Sequence, residues 1–125
     1  MVVPNSPAVS LVIPVYNEVD NVVPLHAAIT AALEGRDYEI VLVNDGSTDG
    51  TKDALTTLSE STPTVRVIHF VRNYGQTAAL TAGIRHARAP IIVTLDADLQ
   101  NDPADIPGML DKLDEADVVL SLIHI

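Results

Sequence analysis

Four short apolar runs rich in β-branched residues alternate along this chain with stretches carrying apolar side chains at helical spacing. Few folds accommodate that rhythm. The runs are Val-Ser-Leu-Val-Ile-Pro-Val at 9–15, Tyr-Glu-Ile-Val-Leu-Val at 38–43, a third at 64–71, and Ile-Ile-Val-Thr-Leu from residue 91, entered at Pro90. The first should end near Pro14, because proline cannot donate to a central ladder. Between them, Val22, Leu25, Ala28, Ile29 and Ala32 mark a helix over about 21–33 with a stop at Gly35. Thr48 or Asp49 caps a second helix that runs through Ala54, Leu55 and Leu58 to about Ser59. A third helix over 76–87 places Ala79, Leu80, Gly83, Ile84 and Ala87 on one face, small enough for close packing on a sheet. After Pro103 a fourth helix reads to about Ala116, and Asp117-Val118-Val119-Leu120 starts a fifth strand. Strands separated by helices of this length make an α/β fold: a mainly parallel sheet joined by right-handed crossovers, with helices on both faces.

The polar clusters follow the strands. Tyr16-Asn17-Glu18, Asn44-Asp45-Gly46-Ser47, Arg72-Asn73-Tyr74-Gly75 and Asp96-Ala97-Asp98 each lie just past a strand. In a parallel sheet all four converge on one rim, where open α/β folds bind ligands. One such loop is expected of any protein, but four on one rim favour a binding site. Asp96 and Asp98 are one residue apart, so on an extended strand end their side chains point the same way. Carboxylates held that close repel unless a cation lies between them. Hard oxygen ligands suit magnesium, manganese or calcium, and magnesium commonly takes one or two carboxylates plus substrate phosphates. The plainer alternative is an acidic loop leading into the next helix, with Asp102 before Pro103 as its N-cap. That accounts for Asp102 and leaves Asp96 and Asp98 unexplained.

Composition narrows the partners. A formal net charge of −10 argues against nucleic acid, which requires clustered Lys and Arg. An anionic ligand here would need a cation to bridge it to the carboxylates. The absence of cysteine removes disulfides and thiolate metal sites and is compatible with the cytosol. No apolar run approaches the roughly 20 residues of a membrane span, and the start has no basic, long apolar leader. The four histidines, His26, His69, His86 and His124, have no ligand-like spacing and read as ordinary surface or packed residues. With 47% hydrophobic but only 3% aromatic residues, the core must be aliphatic. At 125 residues the chain is one domain, with a loose arm over 1–8, the folded part over 9–119 and a tail over 120–125.

Val12-Ile13-Pro14-Val15-Tyr16-Asn17-Glu18, Val43-Asn44-Asp45-Gly46-Ser47-Thr48-Asp49, Arg72-Asn73-Tyr74-Gly75-Gln76 and Asp96-Ala97-Asp98-Leu99-Gln100 occur in that order. Together they resemble the start of an inverting family 2 glycosyltransferase of the GT-A fold, nearest the polyprenyl-phosphate branch. The resemblance implies a Rossmann-like, nucleotide-sugar-binding half. In it Pro14, Tyr16 and Glu18 line the nucleobase and ribose pocket, Asp45 helps hold the base, and Arg72 faces phosphate. Asp96 and Asp98 would be the D-x-D pair that holds magnesium or manganese against the donor pyrophosphate, with Gln100 approaching the same ion. Each also has a plainer role: Tyr16 a rim residue, Glu18 a solvated charge, Asp45 a tight-turn former, Arg72 a surface ion pair.

The implied donor is a UDP- or GDP-linked sugar and the acceptor a polyprenyl phosphate, at the cytoplasmic face of a membrane. The family's general base lies in a later, acceptor-side half, and none can be assigned here; an anionic phosphate acceptor needs none. Ser121-Leu122-Ile123-His124-Ile125 departs from the family, and a truncated chain is expected, with an exposed sheet edge open to self-association into a homo-oligomer. Two other enzyme classes fit less well. A nucleotidyltransferase would want a Gly-rich loop after the first strand, and a D-x-D phosphatase would place its nucleophile there. The non-enzyme alternative is a nucleotide-sugar-binding fragment without catalysis.

Overall fold

The computed structural model describes residues 7–98 and 102–113. Four parallel strands, β1 (Val9–Val15), β2 (Tyr38–Asn44), β3 (Val65–His69) and β4 (Ile91–Thr94), stand in the order β3-β2-β1-β4. Helices α1 (Val22–Ala32), α2 (Thr51–Ser61) and α3 (Gln76–His86) alternate with them, and α4 (Ile106–Leu113) follows β4. Short 3-10 turns at Val19–Asn21 and Pro103–Asp105 lead into α1 and α4.

The pleat sorts the core into two layers. Leu11, Ile13 and Val15 of β1, with Ile40 and Leu42 of β2, face α1, α2 and α4, where they meet Leu25, Ile29, Leu55, Ile106 and Leu110. Val12, Val41 and Val43 face the opposite way and meet Ala79 of α3. Each fully buried aliphatic side chain contributes about 1.5–3 kcal/mol, so the first, larger layer dominates.

The position of α3 follows from handedness and from one glycine. Crossovers from β1 to β2 to β3 step one way along the sheet; β3 to β4 steps back past both, so a right-handed connection puts its helix on the other face. There a Cβ on Gly83 would lie 2.4 Å from Val12 Cγ1 and 3.1 Å from Val43 Cγ2, so only glycine lets α3 settle this close. Ala79 and Gly83 are buried as the helical spacing requires, while Ile84 is 45% exposed and points away from the sheet.

Several boundaries shift from expectation, with physical causes. Pro14 does not end β1: it pairs with Val43, and β1 runs on to Val15. Val12 O accepts from Leu95 N on the β4 side. In a parallel strand Pro14 has the same sense, so its missing N–H faces beyond the end of β4, where no partner is needed. The third strand ends at His69 rather than residue 71; Phe70 N still donates to Asn44 O (2.8 Å), but Val71 is 91% exposed. Helix α2 starts at Thr51, with the Asp49 carboxylate accepting from Thr51 N (2.8 Å) and from the Thr51 hydroxyl. Asp102 caps the turn into α4 as expected, accepting from Ala104 N at 2.9 Å with Pro103 following. Pro7 is buried and Ala8 N donates to Asp37 O (3.2 Å), so the end of the expected loose arm is tied to the sheet. Residues 1–6, the end of the fourth helix, the fifth strand at 117–120 and the 120–125 tail lie outside the described residues.

At the amino end of the sheet the buried carboxylate of Glu39 gathers Ser10 Oγ (2.5 Å), Arg88 N (2.7 Å) and Arg88 Nε (3.1 Å). Arg66 Nε is 3.0 Å from the same carboxylate as an ion pair, without the alignment of a hydrogen bond. This joins the starts of β1, β2 and β3 to the segment entering β4. Burial pushes the Glu39 carboxyl up, but the Ser10 and Arg88 hydrogen bonds and the Arg66 charge outweigh it and hold the group below the ordinary glutamate range.

Candidate functional site

At the carboxyl end, the loops after β1 and β2 lock together. Asn17 takes φ +52°, a left-handed backbone that asparagine tolerates better than most residues. Its Oδ1 accepts from Thr48 N (2.7 Å), and its own N–H donates to Ser47 Oγ (3.0 Å). Glu18 N donates to Thr51 Oγ1 (3.0 Å), and the Glu18 carboxylate accepts from Asn21 Nδ2 (2.6 Å).

The loop after β3 docks on the same cluster through Asp45. Only 4% exposed, Asp45 accepts from Tyr74 N (2.7 Å) and Gly75 N (3.0 Å), while Asn73 Nδ2 donates to its carboxylate (3.1 Å) and its carbonyl (3.2 Å). Those N–H groups lie at the start of α3, so the buried charge is met by donors at a positive helix end. Gly46 makes the docking possible. At φ +71°, a Cβ there would lie 2.2 Å from Arg72 C and 2.3 Å from Asn73 N.

Between β1 and β4, where the chain order of the strands reverses, these loops enclose a cleft of about 360 Å³. An open parallel sheet offers a ligand crevice at such a point. The lining includes Pro14, Tyr16, Glu18, Asp45, Asp96 and Asp98, and also Asn73, Gly75 and Gln76. Six of the eight residues singled out from the sequence are therefore brought together.

Asp96 and Asp98 reach the cleft differently from expectation. β4 ends at Thr94; Asp96 follows in irregular chain and Asp98 in a turn, so neither lies on the strand itself. Burial still alternates: Leu95 and Ala97 pack into the core, Asp96 is half-buried and Asp98 exposed. Anchoring by the two apolar neighbours thus keeps both carboxylates at the rim. Gln76 Nε2 donates to Asp96 Oδ1 at 3.4 Å, a long contact across the switch point.

Arg72 is not among the cleft-lining residues. Its guanidinium lies over the Tyr74 ring, 4.9 Å from the centroid, and Tyr74 meets Phe70 edge-on at 5.6 Å. That is a cation–π contact, which orients the guanidinium in the loop after β3. Gln100 lies outside the described residues. Asn73 and Gly75 come to the cleft by docking onto Asp45, and Gln76 by opening α3 beside Asp96, pairings that local sequence does not announce.

Among the described residues no group of three or more His, Cys, Asp or Glu is arranged to hold a metal ion. Asp96 and Asp98 are hard oxygen donors at the mouth of an acidic cleft. Two carboxylates completed by ligand phosphates suit magnesium or manganese, so the residues present fit a cation that binds together with an anionic ligand. Among the described residues no helix is long and apolar enough to cross a membrane.

Residues 10–125 match the family described as Glycosyl transferase family 2. An undecaprenyl-phosphate 4-deoxy-4-formamido-L-arabinose transferase of Enterobacter sp. (strain 638) is 48% identical over 116 residues, covering 89% of this chain and 35% of that protein. A dodecaprenyl-phosphate galacturonate synthase of Rhizobium johnstonii is 43% identical over 114 residues, covering 89% and 34%. Among solved structures, a mannosyltransferase from Pyrobaculum calidifontis in complex with GDP-Man and Mn2+ superposes with a TM-score of 0.76 at 30% identity, covering 86% of this chain and 32% of that one. This chain thus spans about a third of the length of these relatives. The sheet is that of the GT-A glycosyltransferases. With the family matched over nearly all of its length, the chain belongs to glycosyl transferase family 2.

Proposed function

We propose that these residues form the donor side of an enzyme that moves a sugar from a nucleoside diphosphate to a polyprenyl phosphate with inversion. The observation that carries this reading is the cleft itself: Pro14, Tyr16, Glu18, Asp45, Asp96 and Asp98 meet at the switch point of the sheet. Two relatives named for polyprenyl-phosphate sugar transfer support the acceptor class. The neighbour holding GDP-Man and Mn2+ supports a nucleotide-sugar donor and a divalent cation.

In this reading Tyr16 and Pro14 offer a flat face to the base or ribose, and Glu18 accepts from hydroxyl groups. Asp45 accepts from the base with the one Oδ1 lone pair that the loop bonds leave over. Asp96 and Asp98 would hold magnesium or manganese beside the donor phosphates, with Gln100 as a further oxygen donor. When bound, the cation supplies Lewis acidity that stabilises the departing nucleoside diphosphate. A phosphate oxygen of the acceptor forms the new bond to the anomeric carbon as the bond to the nucleoside diphosphate breaks, and the electron pair leaves with that diphosphate. The acceptor phosphate is already anionic, so no side chain has to remove a proton.

The test is calorimetric titration of the chain with UDP and GDP, with magnesium and then with excess chelator. Chelation should weaken binding at least tenfold, about 1.4 kcal/mol, because four cleft carboxylates otherwise meet the pyrophosphate. Unchanged affinity in chelator would refute the cation, and no binding of either nucleotide would refute the donor site. A transfer assay with polyprenyl phosphate separates an enzyme from a nucleotide-sugar-binding protein without catalysis.

A further inference from the structure

His69, the last residue of β3, lies outside the cleft lining, yet it is wired to the loop that carries Asp45. Its Nδ1 is 3.1 Å from Asn44 Nδ2, and its Nε2 is 3.2 Å from Thr56 Oγ1 of α2. Asn44 is only 1% exposed. Its Oδ1 accepts from Ser47 N at 3.0 Å, and a backbone N–H can only donate. That contact sets the orientation of the amide, so the Nδ2 group faces the imidazole as a donor. His69 Nδ1 must then accept, which leaves the ring proton on Nε2, directed at the Thr56 hydroxyl.

We propose that His69 is a positioning residue for the nucleotide cleft: as a neutral, Nε2-protonated imidazole it holds Asn44, and through Asn44 the turn bearing Asp45, Gly46 and Ser47. This deepens the donor-site reading and rests on it for the effect on binding. Protonation makes Nδ1 a donor facing another donor, so the Asn44 amide must turn or withdraw. Turning it takes Oδ1 away from Ser47 N. Ser47 Oγ in turn accepts from Asn17 N, and Asp45 anchors residues 73–75, so both walls of the cleft are coupled to the state of one ring. The groups facing the imidazole are Asn44 of β2 and, from α2, Thr56 and the charge of Lys52. Burial first, and then Lys52, keep His69 below the ordinary histidine range, which favours the neutral ring near pH 7.

Two measurements on the 125-residue chain test this. In nitrogen-resolved NMR, His69 should show the Nε2–H tautomer at pH 7.5. The amide signals of Ser47, Tyr74 and Gly75 should move with its protonation and stay put in His69→Asn, which keeps an acceptor near Nδ1 but cannot titrate. The opposite tautomer, or amides indifferent to the ring, would overturn the proposal whether or not nucleotide binds. In parallel, the magnesium-dependent Kd for UDP or GDP should rise about tenfold on protonation in the parent, with the His69→Asn variant losing that pH dependence. If both proteins followed the same pH profile, His69 would not be the positioning group. Absence of nucleotide binding at every pH would fail the donor-site reading and leave the NMR experiment to decide the role of His69.

Discussion

Replacing Gly46 with alanine probes the joint that builds the cleft. The added Cβ would meet Arg72 C at 2.2 Å and Asn73 N at 2.3 Å. To restore ordinary carbon contact near 3.5 Å, the 72–73 backbone would have to retreat by about 1.3 Å. Asp45 accepts from Tyr74 N at 2.7 Å and Gly75 N at 3.0 Å, so a retreat of that size breaks both bonds. Each hydrogen bond to a charged group contributes about 1.5 kcal/mol at the lower end of its range. Holding alanine at φ +71° adds about 1 kcal/mol. Rehydration of the loosened loop offsets part of that sum, leaving an expected loss of about 3 kcal/mol. Gly35→Ala is the matched control. Its φ is +82° and nothing lies within 4 Å of the added atom, so it carries the backbone term alone, about 1 kcal/mol. Urea unfolding of both variants measures the difference. Losses equal to within about 0.5 kcal/mol would refute the claim that close approach of the two loops, rather than glycine's backbone freedom, is what Gly46 supplies.

Asp98→Asn should weaken magnesium-dependent nucleotide binding about tenfold or more, whereas Tyr16→Phe should cost less, because the first removes a charge beside the cation and the second a single hydroxyl. Equal losses of metal dependence in calorimetry would show that Asp98 is not a metal ligand. Glu39→Gln should destabilise the fold by about 2 kcal/mol at pH 7, below the usual figure for a broken buried pair because both arginines are partly exposed. The Glu39 carboxyl is depressed in the folded chain, so its contribution is present above its unfolded value near 4.5 and is lost as pH falls through the folded value. Thermal melts should show the gap between parent and variant closing below pH 4.5; a constant gap would mean that Glu39 acts by shape rather than by charge.

Much of this protein follows from short-range information. The β-branched runs and helical periods fix an alternating parallel fold, and the turn formers after each run locate a polar rim before any contact is known. The Asp102-Pro103 cap and the stop at Gly35 are local as well, because they depend on one or two dihedrals and a neighbouring N–H. Only the tertiary structure decides which strand ends become neighbours. That depends on α3 crossing to the other face, where Gly83 fits against Val12 and Val43, and it puts β4 beside β1 so that Asp96 and Asp98 join Tyr16 and Glu18. It also decides what each polar group is bonded to. Asp45 is held by the start of α3, Arg72 lies over Tyr74, and His69 supports Asn44 from outside the cleft. Those pairings span 25 residues or more in the case of Asp45 and His69, and local propensity carries no information at that range. They are settled by which buried donors and acceptors would otherwise be left unsatisfied.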